Sequence, residues 1–112
     1  MDIREFFVST RPKEAADLVE EVIVHGSFSG KVIDTYHRQV GENEILVIVF
    51  EKYYIRTNNR ASLTLVIDNL EGTTKVHATA SGGGGGAIFR FDWGVGSSFI
   101  KSVEKALEPY II

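Results

Sequence analysis

The chain contains no cysteine. That absence excludes disulfides, thiol nucleophiles and thiolate metal sites together. Long hydrophobic runs are also missing. The longest, Ile45 to Phe50, falls well short of the ~18 apolar residues that a membrane span needs, so no membrane partner is expected. Nor is there a basic excess. Lys and Arg number 12 against 15 Asp and Glu, a net charge of −3, which argues against a nucleic-acid phosphate surface. Met1 to Glu5 is not a secretory leader, and no Asn-x-Ser/Thr acceptor occurs, so the expected location is the cytoplasm. No repeat or linker divides the 112 residues, which read as one domain, 1–112. With 44% apolar and 24% charged residues the chain has the composition of a folded protein.

The patterning is that of an α+β fold. Pro12 to His25 places Ala15, Leu18, Val19, Val22 and Ile23 on one helical face. Ser9 or Thr10 is the expected cap, and Gly26 the expected left-handed stop. Ile3 to Ser9 before it reads as either a short strand or an irregular lead-in. Lys31 to Val40 suits an edge strand, and Gly41 to Asn43 a turn. Glu44 to Arg56 is apolar on both faces from Ile45 to Phe50, as in a central strand or one facing a partner subunit.

The next two runs register against each other. Leu63, Leu65 and Ile67 alternate in one, and Val76, Ala78 and Ala80 in the other, around the turn Leu70 to Thr73. Partners whose numbers add to 143 set Leu65 opposite Ala78 and Asp68 opposite Lys75. The preceding turn, Thr57 to Arg60, leaves either Lys52 or Glu51 beside an apolar partner, so a bulge is expected between Glu51 and Tyr53. Ala87 to Trp93 alternates as a fifth strand, and Ser97 to Glu108 forms a closing amphipathic helix capped by Ser97. The expected architecture is an N-terminal helix, a five-stranded antiparallel meander and a C-terminal helix, with both helices on one face of the sheet.

The candidate chemistry is sparse. Gly82, Gly83, Gly84, Gly85 and Gly86 run together but lack the Gly-Lys-Ser/Thr ending of a phosphate loop. They read as a hairpin loop or bulge, with a flap over a pocket or an anion nest as alternatives. Tyr53, Tyr54 and Arg56 form a basic-aromatic cluster that can stack a ligand. His25, His37 and His77 have no metal-ligand spacing. His77 shares a polar sheet face with Thr64, Asp68, Lys75 and Thr79, and Arg90 can join it. No triad or paired-carboxylate site assembles from spacing; Glu42 and Glu44 read as surface charge. No cofactor is implied.

Three blocks carry a resemblance: Phe50 to Arg56 (FEKYYIR), Asn59 to Thr64 (NRASLT) and Gly82 to Gly94 (GGGGGAIFRFDWG). In these the chain resembles an uncharacterised family of small bacterial proteins. The resemblance implies a bacterial, cytoplasmic protein and assigns no catalytic residue. More loosely, a sheet gripping a C-terminal helix is similar to the Bet v 1-like ligand-binding fold, which implies a cavity between helix and sheet.

Two functional expectations follow. The first is a non-catalytic binding or interaction module that self-associates as a homodimer. The alternative is a small-ligand carrier or enzyme, with a pocket under the glycine loop lined by Tyr53, Tyr54, Phe89, Phe91 and Trp93.

Overall fold

The structure is a computed structural model and describes residues 2–55, 58–82 and 95–112. Among these, five antiparallel strands form one open sheet that packs with two helices, an α+β fold. The strands are β1 (Asp2–Val8), β2 (Lys31–Val40), β3 (Asn43–Tyr54), β4 (Asn59–Asp68) and β5 (Thr74–Gly82). Their order across the sheet is β1-β5-β4-β3-β2. β2 to β5 form the expected meander, and the fifth strand comes from the N-terminus, pairing with β5 along its whole length. The strand expected over 87–93 and the glycine run beyond Gly82 lie outside the described residues.

The hairpin of β4 and β5 has the register read from alternation. Leu63 faces Ala80, Leu65 faces Ala78, Ile67 faces Val76 and Asp68 faces Lys75. The apolar members of these pairs are fully buried. In the connecting turn Gly72 takes φ +92°, a conformation that a Cβ would strain.

β3 departs from expectation. It pairs Tyr54 with Asn59 and Phe50 with Leu63, so residues 55–58 make a four-residue connection. No bulge falls between Glu51 and Tyr53: the register runs unbroken through Ser62, Ala61 and Arg60, with Glu51 on the outer face and Lys52 on the core side at the rim, opposite Ala61. Glu51 meets Arg60 at 2.9 Å and Lys31 at 3.8 Å, while the Lys52 ammonium lies 4.8 Å from the centre of the Tyr54 ring. The bulge lies instead in β2, between Val32 and Asp34.

α1 (Pro12–Glu20) continues as a π-helical turn, Glu21–His25. Its start is not capped by Ser9 or Thr10. Arg11 occupies the cap position, and its backbone N–H donates to the Glu14 carboxylate at 3.0 Å. Gly26 does not go left-handed: it sits at φ −94°, with its N–H donating to Glu21 O and Val22 O. A glycine is needed there for space, since a Cβ would come within 2.6 Å of Val22 O.

α2 (Val95–Leu107) begins before Ser97, which therefore lies inside the helix, and a 3-10 turn over Glu108–Tyr110 follows. The last residues return to β1. Ile111 bridges Val8, the Ile112 N–H donates to Phe7 O at 3.0 Å, and Ser9 N–H donates to Tyr110 O at 2.8 Å.

The core is one cluster. Ala15, Ala16, Val19 and Ile23 of the first helix and Phe99, Val103 and Leu107 of α2 join Leu46, Ile48, Phe50, Leu63, Leu65 and Ile67. α2 lies mainly on β5 and β4, where Ala78 and Ala80 leave it room, and α1 on β3 and β4. Arg4 of β1 pins α2 through Glu104 at 2.9 Å. Tyr54 meets Phe99 edge-on, with ring centroids 6.2 Å apart.

Leu65→Ala is expected to cost about 2–5 kcal/mol, and Leu70→Ala, at an exposed turn position, under about 0.5 kcal/mol; urea denaturation followed by circular dichroism checks both. Burial raises the Tyr54 phenol above its usual pKa of 10.0. The unfolded chain therefore loses that proton first, and the stabilisation, present below pH 10.0, is lost as pH rises through the folded value. Tyr54→Phe is expected to flatten the fall in urea midpoint between about pH 9 and about pH 11.

Candidate functional site

Side chains alternate across the sheet, so the residues opposite the core share the other surface. β3 contributes Ile45, Val47 and Val49, paired with Asp68, Val66 and Thr64 of β4. These in turn face Lys75, His77 and Thr79 of β5, and then Phe7, Glu5 and Ile3 of β1. The grouping of His77 with Thr64, Asp68, Lys75 and Thr79 on one surface is thus observed. On this surface Ile45, Val47, Val49 and Val66 are half-buried, and Ile3 and Phe7 are exposed.

Glu5 completes a short relay there. Its carboxylate is 2.8 Å from His77 Nδ1, and His77 Nε2 is 3.5 Å from Thr79 Oγ1. The order acid, imidazole, hydroxyl is that of a nucleophilic triad, but both His77 and Glu5 stand in the open on a flat strand surface. The arrangement orients the imidazole and offers polar contacts to a docked surface; water exclusion, on which acyl-transfer catalysis depends, is not part of it. Glu5 was not legible as a partner of His77, because 72 residues separate them. Only the assignment of Ile3 to Ser9 as a strand beside β5 could have found it.

A second histidine pair lies at the β2–β3 turn. His37 Nε2 is 2.6 Å from Glu44 Oε2. Glu44 is only 9% exposed, which corrects its reading as surface charge. Asn69 anchors this carboxylate's backbone: its Oδ1 accepts the Glu44 N–H at 2.7 Å, and its own N–H donates to Glu44 O at 3.2 Å. The pair holds the end of the hairpin in place.

Of the ligand cluster expected from the sequence, the structure describes Tyr53, Tyr54, His77 and Gly82. Tyr53 and Tyr54 point to opposite sides of β3. The Tyr53 hydroxyl donates to Asn58 Oδ1, and its backbone exchanges hydrogen bonds with the Ser29 hydroxyl. Tyr54 faces Phe99. Six residues of β3 separate Tyr53 from the row that holds His77, roughly 20 Å along the strand. Gly82 ends β5 opposite Ala61. Arg56, Gly83, Gly84, Gly85, Gly86, Arg90 and Trp93 lie outside the described residues. A groove of about 430 Å3 lies elsewhere, at the start of α1, lined by Thr10, Arg11, Asn69, Gly72 and Thr74 among others. The Thr74 hydroxyl donates to Thr10 O across its floor at 2.5 Å.

Among the described residues no group of three or more His, Asp or Glu side chains is placed to hold a metal ion, and no helix is long and apolar enough to cross a membrane.

The most exposed element of the sheet is β2. From Ile33 to Val40 every residue is exposed, including Ile33 at 51%, Tyr36 at 51% and Val40 at 70%. The two edges of the sheet therefore differ. The C-terminal residues close over one end of β1, whereas among the described residues nothing pairs with the outer edge of β2 along its ten residues.

No curated protein and no solved structure matches the chain. Residues 1–111 match the family of unknown function DUF6054, and with nearly its whole length covered the chain belongs to that family.

Proposed function

We propose that this chain is a non-catalytic interaction module that works as a homodimer, in a bacterial cytoplasmic setting. The observation that carries this reading is β2: a long edge strand whose outer backbone groups find no partner among the described residues, with Ile33, Tyr36 and Val40 exposed. Such an edge is a template for further pairing unless something covers it. The row of Ile45, Val47 and Val49 on the neighbouring strand adds apolar surface beside that edge. The Glu5–His77–Thr79 relay, standing open to water, fits a polar contact better than a reaction centre.

A pairing strand with its flanking side chains falls at the small end of protein interfaces, below about 1,200 Å2, so micromolar affinity is the appropriate scale. Sedimentation equilibrium up to about 100 μM is expected to show a species of twice 12.4 kDa. A monomer over the whole range overturns the proposal.

A further inference from the structure

Resting on that reading, the geometry points to one particular dimer: two copies of β2 pair antiparallel about a two-fold axis at Tyr36, joining the two sheets into a single ten-stranded one. The argument begins with the pleat. Residues directly opposite in a ladder must lie on the same side of the sheet. In a symmetric pair of β2 strands, partner numbers therefore add to an even total.

The bulge between Val32 and Asp34 removes the first residues of β2 from regular pairing, leaving Asp34 to Val40 as the usable stretch. Within it few registers remain. A total of 76 sets Arg38 on the partner's Arg38, and a total of 74 sets His37 on the partner's His37. A total of 70 leaves Asp34 opposite the partner's Tyr36. A total of 72 sets Asp34 opposite the partner's Arg38 on both sides of the axis, Thr35 opposite the partner's His37, and Tyr36 against the partner's Tyr36.

Charge selects the last. Asp34 and Arg38 share the surface that faces away from the core, since they pair with Val49 and Ile45 of β3. Among the described residues neither has an ion-pair partner within 4.0 Å; Arg38 meets only the Tyr36 hydroxyl, at 3.3 Å. The segment reads acidic, Thr, Tyr, His, basic. Reversed and set against itself, it matches each charge with its opposite. Five residue pairs supply the backbone ladder, and the Tyr36 rings supply the apolar centre. The open edge of β2 is thereby consumed in both copies.

The absence of native cysteine makes a direct test possible. Across an antiparallel pair the two Cα atoms at the axis are about 4.5–5.5 Å apart, within disulfide reach. Oxidised Tyr36→Cys is expected to run as a covalent dimer. Val40→Cys, more exposed than Tyr36 but held roughly 27 Å from its counterpart, is expected to stay monomeric under the same oxidation. Sedimentation then reads the charges: Asp34→Arg and Arg38→Asp are each expected to weaken the dimer about tenfold, and the two together to restore it. If the native chain dimerises but Tyr36→Cys does not cross-link and the charge reversals change nothing, this pairing is overturned while self-association stands. If the native chain is monomeric throughout, both are overturned.

Discussion

The interlock of β4 with β5 is the constraint on which the rest of the molecule depends. β4 brings large branched side chains to the core, Leu63, Leu65 and Ile67, and β5 answers with Ala80, Ala78 and Val76. The small partners leave a shallow trough, and Phe99, Val103 and Leu107 of α2 fill the core above it. A slip of one residue would turn the three large side chains of β4 into water and bring Thr64 and Val66 inward, so the pairing has one workable register. β1 then docks on the free side of β5 and α2 is tied to it through Arg4 and Glu104.

Local pattern explains which parts of this were legible in the sequence. Strict alternation and a turn glycine fixed the hairpin of β4 and β5 without knowledge of anything distant. The apolar spacing of the first helix was similarly readable, whereas β3, apolar on both faces from Ile45 to Phe50, hid which face joins the core. Loop length was not: alternation fixes the side on which Glu51 and Lys52 lie but not how many residues join β3 to β4. β1 was ambiguous because Phe6 and Phe7 are adjacent, which hides its alternation, and its place beside β5 is a long-range fact. The Gly26 stop was read from the usual role of glycine at helix ends, but here a widened last turn brings Val22 O close and space, not handedness, decides.

The candidate site was legible only as a face. Pairing arithmetic placed His77 with Thr64 and Thr79, but the carboxylate that orients the imidazole arrives from the other end of the chain. The aromatic cluster of Tyr53 and Tyr54 dissolves for an elementary reason: neighbours on a strand point opposite ways, so one joins the core and the other the surface. The buried Glu44 was misread because a turn-flanking carboxylate is ordinarily solvated, and its partner His37 lies on the preceding strand.

The latch between β1 and the residues around Ile111 has a consequence for folding. β1 lies far in sequence from both of its neighbours, β5 and the residues around Ile111. Contacts separated this widely in sequence form late. The pairing of β1 must therefore wait while the meander assembles. The sheet is completed last along the side where β1 lies, by the contacts that span the most chain.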